Sequence, residues 1–496
     1  MLRKNLFKLI PVVLIALLII LGSCGQGSED KASPDRLPNI IFIMADDLGY
    51  AEAGCYGQSI IKTPAIDRIS EEGMKFTRFY AGSPVCAPSR SVLMTGMHTG
   101  HTYIRDNGDP ADRDPDLPFP GQNPIPDSIL TIAEIMKEQG YVTGCMGKWG
   151  LGHTNTSGDP GNQGFDLFYG YKCQRHAHSH YPNFLWRNNE MEELEGNDRS
   201  LVGAQHSQDL FTLEALNFIQ ENRDTSFFLY LPFIIPHLSI QTTDRFLDMY
   251  KEIVPEADYV HRGYLQHPYP HAAYAGMITQ MDDAIGQVLD QIDKLGLEEE
   301  TIIFFTSDNG PAYDRLGGSD SDFFNSSGPL QGRKGSLLEG GIRVPLVVKW
   351  TGKISAGSLS EIQSALWDIL PTLCEVSGSE IPENTDGISI LPALLSTGEQ
   401  KKHESLYWEF PSYGGQAALI KGDWKLLVRN LYSEKETVSV QLFNLNDDVG
   451  EKNDLATENP ELITEMLQEM SRSHVHSDLF GFHELEDFYT LQKQIP

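Results

Sequence analysis

Basic residues are scarce in this chain: 38 Lys and Arg stand against 69 Asp and Glu, a formal net charge of −31 over 496 residues. A surface that grips a nucleic-acid backbone needs concentrated positive charge, so no nucleic-acid partner is expected. The same acidity repels any polyanion at long range, so an anion site must be assembled from a few cations gathered locally. Cysteine is sparse as well. The six residues (Cys24, Cys55, Cys86, Cys145, Cys173 and Cys374) include no CxxC pair, which argues against a zinc ribbon or a disulfide scaffold. Neither an internal repeat nor a low-complexity tract occurs. The longest apolar run, Leu9 to Leu21, is shorter than the ~20 residues of a membrane span. With 40% hydrophobic residues overall, a full-sized core is nonetheless expected.

That N-terminal run follows Arg3, Lys4 and Lys8 and ends at Gly22-Ser23-Cys24, the layout of a secretory signal. Leu21-Gly22-Ser23-Cys24 resembles a bacterial lipobox, in which the signal is cut before the Cys and the Cys is lipidated. The reading is a signal peptide over 1–23 and a polar tether over 24–38. The protein is expected to be exported and held at the bacterial cell envelope, at the outer membrane or in the periplasm, by lipid on Cys24.

Beyond the tether, four apolar runs read as buried strands: Asn39 to Ala45, Phe227 to Leu231, Thr301 to Thr306 and Val344 to Val348. Helical spacing over Ser128 to Gln139 and Tyr274 to Leu295 lies between them. Alternation of this kind predicts a doubly wound α/β sheet, whose ligand site lies at the carboxyl ends of the strands. Asp46-Asp47 and Asp308-Asn309 follow two of these runs, so they are expected to converge. After about residue 400 the texture changes to short β-like runs followed by a helix candidate, Leu462 to Met470. The expected division is a catalytic α/β domain over 39–400, a C-terminal α+β subdomain with an antiparallel sheet over 401–475, and a tail over 476–496.

The segment Cys86-Ala87-Pro88-Ser89-Arg90, with Thr95-Gly96 downstream, resembles the signature of the type I formylglycine-dependent sulfatases, among them arylsulfatases and N-acetylgalactosamine-6-sulfatases. The matching motif order spans nearly all of the chain after the tether. The resemblance implies an alkaline-phosphatase-like fold and hydrolysis of sulfate esters. Cys86 would be oxidised to formylglycine (3-oxoalanine) by a formylglycine-generating maturation enzyme. The hydrated aldehyde would attack sulfur, and its second hydroxyl would release sulfate from the covalent intermediate. Asp46, Asp47, Asp308 and Asn309, with residue 86, would hold Ca2+, and oxygen donors suit such a hard cation. Arg90, Lys148 in Gly147-Lys148-Trp149-Gly150 and Lys334 in Gly332-Arg333-Lys334-Gly335 would supply positive charge. His237 would protonate the leaving oxygen.

One position departs from the family pattern: many members carry a His two residues after the first of these lysines, where Gly150 stands. His153 is the nearest candidate to take over. The segment 173–187 is rich in His and aromatic residues. Arg175, His176, His178 and Trp186 are expected to read a sulfated carbohydrate, galactose or N-acetylgalactosamine with sulfate at O6, or alternatively O4. Two rival readings are a phosphodiesterase of the same superfamily and a non-catalytic glycan-binding lipoprotein. The two-zinc site of the first needs several His ligands and typically an Asp-His pair, and no Asp-His dipeptide occurs here.

Overall fold

The computed structural model describes residues 36–108, 118–119, 121–432 and 437–492. The signal, Cys24 and most of the tether therefore lie outside the described residues. Five parallel strands form the middle of a 10-stranded mixed sheet. In chain order they are β1 (Asn39–Asp46), β2 (Val142–Lys148), β3 (Leu167–Tyr171), β4 (Phe227–Pro236) and β5 (Thr301–Ser307). Their spatial order is β5-β1-β4-β2-β3, so β1 is flanked by β5 on one side and β4 on the other. Every residue of β1, β4 and β5 is buried, which explains why they read as continuous apolar runs rather than alternating ones.

The fourth predicted run behaves differently. Strand β6 starts at Leu346, runs to Trp350, and pairs antiparallel with β5. Val344 and Pro345 precede it, and Pro345 has no N–H to give a ladder. Helix α1 (Pro64–Glu71) packs near the long helix α4 (Pro270–Leu295), which starts earlier than Tyr274 because Pro270 sits in the first turn. Helix α3 (Ile132–Glu138) is shorter than the predicted Ser128–Gln139; Thr131 and Glu134 form a capping box that sets its start. Between these lies α2 (Cys86–Thr95), buried along its whole length.

Register explains the site. Asn39 pairs with Thr301 and Ala45 with Ser307, so β1 and β5 end level with each other. Asn39 anchors this alignment by donating from Nδ2 to Thr301 Oγ1 at 3.1 Å. On the other flank Asp46 lies opposite Pro236, which brings His237 to the same edge.

The second sheet contains Leu406–Phe410, Gln416–Lys421, Trp424–Arg429 and Ser439–Asn444, all antiparallel. Two helices cover it rather than one. The first, α5 (Pro460–Ser473), contributes Met466, Leu467 and Met470 to the core of this sheet. The second, α6 (His483–Gln492), lies in the stretch read as a tail, and Phe482, Leu485 and Tyr489 join the same core. The described residues from Pro38 onward form one compact unit. Buried contacts tie the small sheet to the segments on either side of α2: Trp408 Nε1 donates to Ala81 O at 2.9 Å, and Arg105 pairs with Glu409 at 2.7 Å.

Candidate active site

At the shared carboxyl edge of β1 and β5 the chain turns sharply. Asp47 adopts φ 70°, a left-handed conformation that Asp tolerates better than most residues. Its N–H donates to Asp308 Oδ1 at 3.1 Å, while Asn309 Nδ2 donates to Asp47 Oδ1 at 2.8 Å. The two polar pairs predicted at these strand ends are thus bonded across the sheet. Asn309 Oδ1 is buried with no protein partner.

Cys86 opens α2, and Asn107 Oδ1 accepts from the next N–H, Ala87, at 2.9 Å. The thiol is 1% exposed and donates to Asp46 Oδ1 at 3.2 Å. Lys334 Nζ donates to the sulfur at 3.3 Å and to Asp47 Oδ2 at 2.9 Å. Gly335 N donates to Pro84 O at 2.8 Å, which fastens the lysine loop to the loop before α2. One turn into the helix, Arg90 donates from Nε and Nη2 to Asp308 Oδ2 at 3.1 and 2.8 Å, and from Nη1 to Lys148 O at 2.7 Å. Lys148, the last residue of β2, reaches Asp46 Oδ2 at 2.6 Å. Gly147 before it has φ 138°, and a Cβ there would run into Pro232 O of the neighbouring strand, so close packing of β2 on β4 requires glycine.

Three cations, Arg90, Lys148 and Lys334, therefore face three carboxylates, Asp46, Asp47 and Asp308. Burial would raise the Asp46 carboxyl, but Lys148, with Arg90 and Lys334, holds it well below its ordinary range. Asp308 goes the other way: burial and the neighbouring Asp46 charge outweigh Arg90 and push it up to about 6. Burial and Asp46 push the Cys86 thiol well above its usual value, against the pull of Lys148 and Lys334. The sulfur is thus a protonated thiol and a weak nucleophile as it stands.

His237 lies with Asp46, Asp47 and Cys86 in one cluster whose ligand atoms fall within 4.8 Å of one another. Burial and Lys334 depress its imidazole well below the ordinary range, so it is neutral. Its Nδ1 lies 2.6 Å from Leu238 O, which assigns the proton to Nδ1 and leaves a lone pair on Nε2. In this state Nε2 accepts a proton; protonating a leaving group requires that a bound anion first raise its pKa.

The predicted substrate segment is divided by the fold. The His178 ring stacks on His237 at 5.1 Å and meets Tyr264 at 5.1 Å. His178 and Tyr264, with Ser179, Arg199, Ser239 and Leu265, line a cleft of about 400 Å³ beside His237. His176 is buried against Phe119 at 4.5 Å, away from that cleft. His180 is fully buried, with Nε2 2.9 Å from His237 O, so it props the backbone of the catalytic candidate. The three alternate histidines thus have three different surroundings. Trp186 and His153 line a separate pocket of about 20 Å³, beside Lys172, whose Nζ sits 5.1 Å from the Trp186 ring centre. Arg175 is exposed.

The sulfatase family model matches residues 38–379. The chain belongs to the sulfatase family. A second model, the C-terminal region of N-sulphoglucosamine sulphohydrolase, matches residues 333–476. Among curated relatives, an arylsulfatase from Hemicentrotus pulcherrimus is 33% identical, covering 77% of this chain and 66% of its own. The N-acetylgalactosamine-6-sulfatase of Canis lupus familiaris is 31% identical over 76% of this chain and 69% of its own. The solved structure of Ps i-CgsB with k-i-k-neocarrahexaose superposes with a TM-score of 0.74 at 28% identity, covering 93% of this chain and 98% of that one. A phosphonate monoester hydrolase from Agrobacterium radiobacter, at 18% identity and TM-score 0.63, shares the fold.

The protein is a sulfuric ester hydrolase, and its centre suits a sulfate ester. The all-oxygen set of Asp46, Asp47, Asp308 and Asn309, with Asn309 Oδ1 unpartnered, fits a hard divalent cation. Without a metal the three cations and three carboxylates balance; with one, the pocket becomes positive and matches an anionic ester despite the acidic surface. Tyr264, Arg199 and Ser239 were not singled out from the sequence. They stand on separate loops with no shared motif, and only the folded cleft brings them together.

Proposed function

We propose that this sulfatase removes sulfate from a carbohydrate, galactose or N-acetylgalactosamine bearing sulfate at O6, with O4 as the alternative, after Cys86 has been oxidised to formylglycine. The observation that carries the modification is the thiol itself. It is buried, protonated, and held by Asp46 and Lys334 at the one point where both strand-end pairs meet α2. A hydrated aldehyde at that position would offer one hydroxyl for attack on sulfur and a second for releasing sulfate. Because residue 86 is 1% exposed, a maturation enzyme must reach it before the chain folds.

Calcium is the proposed cation, held by Asp46, Asp47, Asp308 and Asn309 together with residue 86. When bound it would supply positive charge that holds a sulfate oxygen and acidifies the hydrated aldehyde. The protein residues do the rest. Lys148 and Lys334 place ammonium groups around the ester, Arg90 holds Asp308, and His237 exchanges a proton at Nε2 with the leaving oxygen.

Support for a sugar comes from the cleft beside His237, whose His178, Ser179, Arg199, Ser239 and Tyr264 suit a hydroxyl-rich ring better than a steroid. The N-acetylgalactosamine-6-sulfatase relatives and the complex of Ps i-CgsB with k-i-k-neocarrahexaose support it. Residues 1–38 add the proposal of export and lipid attachment through Cys24. Three measurements test the reading. Peptide mass spectrometry should show an aldehyde at residue 86, and a fully active preparation with only the thiol would sink the mechanism. A panel of sulfated monosaccharides and oligosaccharides should show release from galactose or N-acetylgalactosamine. Chelation should abolish turnover and calcium restore it; recovery with zinc alone would contradict the oxygen-ligand assignment.

A further inference from the structure

Gly150 has φ 84°, and a Cβ built on it would collide with Nε2 of Gln174. The Gln174 side chain thus occupies the space in which a residue at 150 would place its own. Gln174 is 8% exposed, and its Nε2 has no hydrogen-bond partner. A buried amide donor without an acceptor is costly and calls for a reason.

Its location supplies one. The β2 and β3 ladder pairs Lys148 with Tyr171 and continues with Trp149 N donating to Tyr171 O at 2.9 Å. The two chains therefore leave the sheet side by side, one carrying Lys148 and Gly150, the other Gln174. Four residues later the second chain places His178 against His237. In the chain Gln174 therefore stands between the ladder partner of Lys148, the lysine that reaches Asp46, and the histidine that stacks on His237. Its neighbours in the chain are engaged elsewhere: Cys173 Sγ donates to Gly121 O at 3.4 Å, and His176 packs on Phe119. A sulfate ester presents only acceptor oxygens, and both lysines are already shared with carboxylates.

We propose that Gln174 is a substrate-contacting residue of this sulfatase, donating its side-chain N–H to a sulfate oxygen from the position that Gly150 leaves open. The glycine and the glutamine act as a pair, since any side chain at 150 displaces the amide. The inference rests on sulfatase activity alone and is independent of which sugar is used.

The test is binding of inorganic sulfate, the product, to the mature metal-loaded enzyme by titration calorimetry, with Gln174→Met and Gln174→Glu beside the wild type. Both replacements keep the length of the side chain. If the amide donates to sulfate, both weaken binding by roughly ten- to a hundredfold, and the carboxylate more than the thioether because it repels the anion. Aldehyde content, metal content and Tm should stay at wild-type values, and kcat/KM should fall in the same order. Sulfate affinity in Gln174→Glu equal to the wild type would overturn the proposal. So would losses in both variants that merely follow a fall in Tm, since the amide would then be packing against Gly150. A sugar panel without turnover would defeat the carbohydrate reading and leave this measurement standing.

Discussion

Lys148 and Lys334 sit on opposite carboxylates, Asp46 and Asp47, and both are almost fully buried. Such charges lose little to solvent screening and act on an anion held between them with most of their strength. Replacing either by Ala should lower kcat by ~10²–10³-fold, the size expected for one stabilising group at a developing charge. Aldehyde content measured on the same samples separates this from failed maturation; wild-type kcat in either variant would remove that lysine from the mechanism. His178 and Trp186 provide a sharper contrast. His178 shares the cleft beside His237, whereas Trp186 stands with Lys172 in a different pocket. His178→Ala should reduce kcat/KM on the sulfated sugar by about tenfold or more, with less effect on a small aryl sulfate that has no ring to read. Trp186→Ala should leave the ratio of the two activities where it was. Equal losses on both substrates in His178→Ala would mean that the residue supports His237 rather than the sugar.

Among the elements, α1 depends on α4 for its start. The N–H groups of Ala65 and Ile66, free at the helix N-terminus, donate to Asp282 at 2.9 and 2.8 Å. Burial pushes the Asp282 carboxyl up to about 7, more than these two bonds lower it. The folded state therefore binds this proton more tightly than the unfolded chain, whose carboxylate titrates near ~3.9. The resulting contribution to stability is complete below that value, declines as pH rises and is lost as pH passes about 7. Its slope cannot exceed ~1.4 kcal/mol per pH unit. Asp282→Asn keeps an acceptor and removes the titration. Its Tm relative to wild type should be more favourable at pH 8 than at pH 5. A difference that does not change with pH would show that the carboxyl titrates normally.

For the whole molecule, the decisive contact is between the small sheet and the short helix Glu339–Ile342 that follows the Lys334 loop. Lys425 of the small sheet is fully buried and reaches Glu339 and Glu451, both at 2.9 Å. Glu339 also accepts from Tyr80 at 3.0 Å and pairs with Arg343 at 3.3 Å. Removing one member of such a network strands the others without compensation, typically at about 3–5 kcal/mol. Lys425→Ala should therefore lower stability by an amount of that order, read from chemical denaturation, although it is not one of the charges around Cys86. A variant as stable as wild type would mean that solvent or Arg343 replaces the lysine. The same network explains why the described chain on both sides of the boundary near residue 400 belongs to one compact unit: a charged seam fixes the small sheet to the segment around Glu339 and Arg343.

The strand-end pairs and the Cys86-to-Arg90 segment were legible in the sequence because their signals are local. A buried parallel strand is mostly apolar, so Asp46 and Asp308 stand out as the first acidic residues at the strand ends, and level register then brings them together. Lys148, Lys334 and His237 were legible for a related reason, since each follows a strand or sits in a glycine-rich turn with a recognisable pattern. The surroundings of a loop residue are set by long-range packing, and no local pattern records them. His176, His178 and His180 alternate in the sequence, yet one packs on an aromatic ring, one faces the cleft and one supports a backbone carbonyl. His153 lies close to Lys148 in sequence but lines a pocket with Trp186, while Gln174, much further along the chain, fills the space beside Gly150. Sequence by itself determined which chemistry the centre carries; tertiary structure decided which loop residues surround it, because a hydrogen-bonded ladder transmits register along a strand and nothing equivalent fixes a loop until it packs.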